Sequence, residues 1–232
     1  ADVAACRAVI AEQGGDGWLG AVGSRRLLEA AGIRVAPFRV ATCRSEAETA
    51  AHELDEPLSM SVISPDVLHK TEHGGVELHL DGPAATAAAF ARIERRMAEG
   101  GHAFEGVVVA EMQTGTEVLI GAQRKGEFGP LLTFGLGGVL VELLGDVACR
   151  LVPPGEAAVR RMIEEIRGYP LLTGYRGRDP AAIDDLVDAL LRAAWLADRL
   201  PEIAEFDLNP VFAGPTATVV ANARVSIDGT DG

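Results

Sequence analysis

Ser64-Pro65-Asp66-Val67-Leu68-His69-Lys70-Thr71-Glu72-His73-Gly74-Gly75-Val76 is a polar run set between two apolar ones. Ahead of it, 58–63 alternates apolar with small polar residues. Behind it, Val76, Leu78 and Leu80 alternate with Glu77, His79 and Asp81, so the stretch reads strand, loop, strand, each strand half-buried. Pro65 ends the first strand. Gly74 and Gly75 can take backbone angles closed to other residues and let an anion approach the main chain, which sets His69 and Lys70 beside an anion-tolerant turn. Such a loop suits phosphate chemistry, although a histidine before a Gly-Gly turn is more often an ordinary surface residue.

Outward from the loop, the chain alternates helix and strand signals. Residues 3–13 read as a helix and 14–17 as a glycine-rich linker. Ser24 reads as the cap of a short helix that buries Leu27, Leu28 and Ala31 and closes at Gly32. A strand is expected over 35–40, then a helix opened by a Ser45–Glu48 capping box and running to Leu54. After the loop, Pro83 opens a helix with Phe90, Ile93 and Met97 on one face and Gly100-Gly101 as its stop. Strands follow over 106–112, 117–123 and 130–135, and Gly137-Gly138 bends the chain ahead of apolar 139–144. Val159, Met162, Ile163 and Ile166 repeat at helical spacing. Asp179-Pro180 starts a longer helix burying Ile183, Leu186, Val187, Leu190, Leu191 and Trp195. Short strands over 204–208 and 218–225 precede a polar tail, 228–232. The pattern predicts an α+β protein: an N-terminal helix and linker (1–17), a first lobe (18–105), and a second lobe (106–232) built on a mainly antiparallel sheet.

The 232 residues suffice for a sizeable core. A formal net charge of −13 disfavours nucleic acid and anionic membrane surfaces as main partners, since both are themselves anionic. Cys6, Cys43 and Cys149 are odd in number and lack zinc or redox spacing, which points to a reducing compartment, the cytoplasm. No run has transmembrane length and the first residues lack the build of a signal peptide. The start inside a helical pattern suggests a piece of a longer polypeptide.

Further runs occur in order along nearly the whole chain: Gly115-Thr116-Glu117, Phe128-Gly129-Pro130, Phe134-Gly135-Leu136-Gly137-Gly138, Val141-Glu142, Asp146-Val147-Ala148 with Arg150, and Phe206-Asp207-Leu208-Asn209-Pro210. With the histidine loop, they resemble the ATP-grasp subunit or domain of the ADP-forming (NDP-forming) acyl-CoA synthetases, the acetate–CoA ligase family. The resemblance implies a two-lobed ATP-grasp fold with a nucleotide cleft between the lobes. It implies reversible phosphate transfer between ATP/ADP and a phosphohistidine, coupled to acyl-CoA formation by a CoA-binding synthetase domain or subunit, in cis or in trans.

On that resemblance His69 is the relay histidine; a neutral imidazole is nucleophilic and its phosphoramidate transfers readily. Asp207 would orient the imidazole and Arg150 would grip phosphate. Asn209 and Asn222 would face magnesium. Glu111 and Met112 fall where the family's hinge meets adenine through backbone groups, and Glu117 where a carboxylate reaches the ribose. Lys70, Gly74, Gly75, Gly137 and Gly138 fall on phosphate-facing turns. Four departures accompany these matches. Ser61 stands where a phosphate-holding lysine is usual and Asn222 where a magnesium-binding aspartate is usual; Lys125 and Gly145 replace a common aspartate and lysine. A charged hydrogen bond contributes roughly 1.5–3 kcal/mol, so the missing lysine alone weakens nucleotide binding about tenfold or more. A second reading therefore stands beside the first: a non-catalytic domain of this fold that senses nucleotide or acyl-CoA inside a larger protein, such as a protein acetyltransferase.

Overall fold

The structure, a computed structural model, describes residues 2–12, 17–67, 69–124, 129–138 and 145–228. Leu68, Lys125, Phe128, Val141, Glu142, the rest of the 139–144 run, most of the linker and the polar tail lie outside the described residues.

In chain order the elements are α1 (Val3–Glu12), β1 (Gly17–Leu19), α2 (Ala21–Ala30), β2 (Phe38–Ala41), α3 (Arg44–Glu53), β3 (Leu58–Ile63), β4 (Val76–Leu80), α4 (Gly82–Gly100) and β5 (Gly106–Glu111). There follow β6 (Thr116–Arg124), β7 (Pro130–Leu136), β8 (Val147–Leu151), α5 (Glu156–Glu165), α6 (Tyr169–Leu172), α7 (Ile183–Arg199), β9 (Ile203–Ala213), β10 (Thr218–Val220) and β11 (Ala223–Ile227). They form two units, Ala36–Gln113 and Ala1–Val35 with Thr114–Gly232.

The smaller unit is an antiparallel sheet in the order β2-β5-β3-β4. Strict alternation in β3 buries Leu58, Met60 and Val62 on one face, where Phe90, Ile93 and Met97 of α4 and Ala47, Ala50 and Ala51 of α3 meet them. Gly101, left-handed at φ 71°, ends α4 as its sequence requires.

The larger unit carries a seven-stranded sheet in the order β1-β11-β9-β6-β7-β8, with β10 also on β9. Its described strand pairs are antiparallel. One face packs Val118, Ile120, Leu132, Phe134, Phe206 and Leu208 against α2, α5 and α7. The alternate residues form an open face.

Several expectations need correction. The division is not 18–105 and 106–232. Gly106–Glu111 is hydrogen-bonded between β2 and β3, and the residues up to Val35 join the larger sheet through β1 and α2. Ser24 is no cap: α2 begins at Ala21 after Gly20, and Ser24 is buried with its hydroxyl donating to the Leu19 carbonyl at 3.2 Å. The Ser45–Glu48 box is absent because α3 starts at Arg44; Glu46 instead accepts the Thr42 N–H and hydroxyl at 2.7 and 2.9 Å. α7 starts at Ile183, not at Pro180. In β4 the register slips between Leu58↔Leu80 and Met60↔Glu77, with His79 at φ 55°, and this bulge turns Leu78 out to water.

Phe134 is fully buried and Leu151 is 58% exposed. We expect Phe134→Ala to cost about 3–5 kcal/mol and Leu151→Ala no more than about 0.5 kcal/mol, read as the shift in urea midpoint at constant m value.

Candidate functional site

His69 stands on a loop pinned at both ends. Val67 is buried in the core of its unit, and the Asp66 carboxylate accepts the Ala103 N–H at 2.8 Å. At the other end Gly75 donates its N–H to the Lys70 carbonyl at 2.7 Å, Gly74 to Thr71 at 3.1 Å, and Val62 to Gly75 at 2.8 Å. Gly75 is pressed on its neighbours: a Cβ there would lie 2.6 Å from Val62 Cγ1 and 3.1 Å from the Lys70 carbonyl oxygen. Gly74 is left-handed at φ 66°. The two glycines thus close the loop on itself and spend their N–H groups internally, so they do not form the open phosphate cradle expected of them.

A charged clamp fixes the same end. Arg96 donates to the Gly74 carbonyl at 3.1 Å and to Glu77 at 2.8 Å, while Arg92 grips Glu77 through two bonds of 3.0 Å. The hydrogen bonds from Arg92, then those from Arg96, hold the Glu77 carboxyl below its ordinary range. Between the anchors the His69 side chain is 62% exposed, with Glu72 Oε1 3.9 Å from its Nδ1. Lys70 is half-buried beside it. His73 packs edge-on against His102, their rings 4.7 Å apart.

Two other expected contacts in this unit differ from the sequence reading. The Glu111 and Met112 N–H groups donate to the Pro37 and Pro57 carbonyls at 3.0 and 2.9 Å. Glu111 Oε1 accepts the Asp55 N–H, and Met112 Sδ the His79 N–H. The hinge donors assigned to adenine are therefore satisfied internally. Ser61 pairs with Val76 and Val108 and is half-exposed, alternating with the buried Met60 and Val62.

In the larger unit Glu117, Gly137 and Gly138 do come together. The Gly137 N–H donates to the Glu117 carbonyl at 2.9 Å, and a Cβ on Gly138 would lie 2.5 Å from Glu117 Oε2. Gly137 touches the β6 backbone, so closely that a Cβ would sit 2.9 Å from the Val118 oxygen.

Asn209 and Asn222 also meet, on β9 and beside its neighbour, with Asp207 two residues before Asn209 on β9. Val118 pairs with Val211 and Ile120 with Leu208, two residues apart on β6 and three on β9, so β9 carries a bulge at Asn209-Pro210. On the other side β10 and β11 part at the same level. Asn222 bridges the gap: its Nδ2 donates to the Asn209 carbonyl at 3.0 Å and its carbonyl accepts the Asn209 N–H at 3.1 Å. An aspartate at 222 would have no donor for that bond, which gives the departure a local reason. Arg25, buried in α2, supports the turn by donating to the Ala221 carbonyl at 2.8 Å; burial lowers its pKa to about 10.

Beside the bulge the open face holds a trough of about 380 Å³ lined by Trp18, Gly121, Gln123, Thr133, Glu205, Asp207 and Arg224, among others. Arg224 and Gly121 lie directly across from Asp207 on the two flanking strands. Water reaches Asp207, yet the surrounding sheet desolvates its carboxyl and raises it above the ordinary aspartate range, opposed by Arg224 and reinforced by Glu205. Arg150 is not part of this group. It pairs with Leu132 on the helix-covered side and donates to Glu165 at 2.6 Å. Asp146, from the same motif, is structural: its two oxygens accept the Arg167 and Gly168 N–H groups at 2.8 Å. Trp18, Arg25 and Arg224 were not singled out from sequence. Arg25 lies three residues before buried Leu28 and Arg224 two after Asn222, while nothing marked Trp18.

The side-chain oxygens of Asp207, Asn209 and Asn222 are hard donors, of the kind that suits a magnesium ion keeping phosphate and water ligands. Among the described residues no cluster of three or more His, Cys, Asp or Glu side chains makes a separate metal site. None of the helices among the described residues is long and apolar enough to cross a membrane.

These two sheets with their helices make an ATP-grasp fold, and the sequence profile of the ATP-grasp domain family matches residues 10–227. The chain is 36% identical over 205 residues to subunit beta of acetate–CoA ligase (ADP-forming) I of Pyrococcus furiosus, covering 87% of this chain and 88% of that one. It is 39% identical over 203 residues to acetate–CoA ligase (ADP-forming) I of Archaeoglobus fulgidus, of which the match spans only 29%. The acetyl-coenzyme A synthetase 1 of Ca. Korarchaeum cryptofilum, solved with coenzyme A and Ca-AMPCP, superposes with a TM-score of 0.90 at 36% identity over 96% of this chain and 98% of that one. A second structure of that enzyme, with Mg-AMPPCP and its phosphohistidine segment pointing towards the nucleotide site, gives 0.83 at 34% identity over 96% and 100%. The chain belongs to the ATP-grasp domains of the ADP-forming acyl-CoA synthetases.

The Glu77 clamp gives a pH dependence. A carboxyl held below its ordinary value of 4.5 contributes fully above that value, and the contribution is lost as pH falls through the lower folded value. We expect Glu77→Gln to speed hydrogen exchange at Gly74 and Gly75 at neutral pH. As pH falls through the lowered folded value, the wild type should approach the variant. Equal exchange in the two proteins at pH 7 would show that the clamp does not hold the loop.

Proposed function

We propose that this chain is the nucleotide-binding part of an ADP-forming acyl-CoA synthetase, passing phosphate reversibly between ATP and His69. The carrying observation is a histidine presented to solvent on a loop fixed at both ends, in a chain of this family. In the forward sense the His69 imidazole attacks the γ-phosphorus, an N–P bond forms, the bond to the ADP oxygen breaks, and the imidazole N–H proton leaves. By likeness to the family, Asp207 would supply a carboxylate, and Asn209 and Asn222 would hold magnesium, which neutralises phosphate charge when bound. The Korarchaeum enzyme's magnesium nucleotide and phosphohistidine segment support this assignment by likeness.

The acyl and CoA chemistry falls to a CoA-binding synthetase region. It belongs to a separate subunit, as the name of the Pyrococcus relative suggests, or to the same polypeptide, as the greater length of the Archaeoglobus relative suggests. The three free cysteines suit a reducing compartment, so we place the protein in the cytoplasm.

After incubation with Mg-ATP or phosphorylated partner, mass spectrometry at alkaline pH should find phosphate on His69. Labelling should vanish in His69→Ala and stay within about twofold in His73→Ala, whose ring packs on His102. Phosphate on His73, or label surviving in His69→Ala, would sink the assignment.

Ser61 favours the second reading, a domain that binds nucleotide or acyl-CoA without turning ATP over. Ser61→Lys should tighten Mg-ATP binding about tenfold by calorimetry, through one charged hydrogen bond. Asn222→Asp should not help in proportion, because it forfeits the bond to Asn209. Tight wild-type binding that Ser61→Lys fails to improve would mean that another cation already serves the phosphates.

A further inference from the structure

Trp18 is 48% exposed on the three-residue strand β1, an unusual place for a large aromatic ring. The Arg224 guanidinium lies 4.8 Å from the centre of that ring. The register explains how they meet: Trp18 pairs with Ser226, and Arg224 is two residues along β11 on the same face. The same register sets Arg224 directly across from Asp207 on β9.

Oppositely charged residues facing each other across antiparallel strands ordinarily pair. Here, among the described residues, Arg224 makes no ion pair and rests on the indole instead. Stacking on tryptophan and pairing with an exposed carboxylate are of similar strength, so the ring can decide where the guanidinium sits. The charged groups facing Asp207 from the elements around it are Glu205 on β9 and Arg224 on β11; from β6 and β7 come Gly121, Gln123 and Thr133, all uncharged. Glu205 in turn accepts Gln123 Nε2 at 2.8 Å. Arg224 is thus the one described cation lining the trough, and it rests on the indole without an ion pair to the carboxylate opposite.

We propose that Trp18 is a positioning residue: by holding Arg224 on its ring it keeps that cation off Asp207 and leaves the carboxylate free for the group bound in the trough. The consequence for phosphate transfer rests on the assignment of Asp207 made above; the geometry does not. Removing the ring should let Arg224 fall onto Asp207 and block it. Replacing the ring by phenylalanine should keep a weaker form of the stack.

Two measurements on the full chain test this. In solution NMR the Arg224 Nε–H resonance should move downfield in Trp18→Ala as the ion pair forms, stay near its wild-type position in Trp18→Phe, and return in Trp18→Ala/Asp207→Asn. In the labelling assay Trp18→Ala should slow phosphorylation of His69 about tenfold. In an Arg224→Gln background the same substitution should have no further effect, because no cation remains to misplace. A role confined to packing β1 would lower labelling equally with and without Arg224, and that result, or an unmoved Arg224 resonance, overturns the proposal. If Asp207→Asn itself leaves labelling unchanged, the assignment of Asp207 fails while the NMR comparison still decides whether Trp18 holds Arg224.

Discussion

One extra residue in β9 sets the geometry of the candidate site. The bulge at Asn209-Pro210 shifts the alternation of the strand, so that Phe206 and Leu208 before it and Val211 and Ala213 after it all reach the core. The residues between are lifted out of the ladder and need other partners. Asn222 supplies them from the break between β10 and β11, and buried Arg25 braces the same turn from beneath. A bulge left without these bonds would expose unpaired backbone groups at the middle of a sheet.

Much of the fold was legible in the sequence because local signals agreed with the packing. The spacing of Phe90, Ile93 and Met97, the glycine stop after α4 and the alternation of β3 each report one buried face, and each face is buried. The failures are of a different kind. Residues 106–110 are apolar without interruption, so their pattern says that the strand is central in a sheet but not in which one. The bulge at His79 moved Leu78 off the face it was expected to share with Leu80, and alternation alone cannot reveal a left-handed histidine.

The site was legible in part. Resemblance named Asp207, Asn209 and Asn222, of which the structure hydrogen-bonds the two asparagines to each other; it also named Arg150, whose odd-even position on β8 sends it to the opposite face with Glu165. Residues that share a motif can differ in role, and both Asp146 and the Gly74-Gly75 pair serve to hold backbone in place. Gly145, where a lysine is common, has φ 55°, a conformation that glycine adopts without strain. Trp18 could not be found from sequence, since its importance depends on which strand lies beside β1.

Gly121 has a further meaning. Its backbone is not left-handed, and a Cβ there would meet only the Phe206 carbonyl oxygen, at an ordinary 3.4 Å. The sheet therefore tolerates a side chain at this point. What a side chain would remove is empty volume, directly between Asp207 and Thr133 in the row of facing residues. The glycine leaves a vacancy in the sheet's surface, a reserved width beside Asp207 that is set by an atom the chain leaves out.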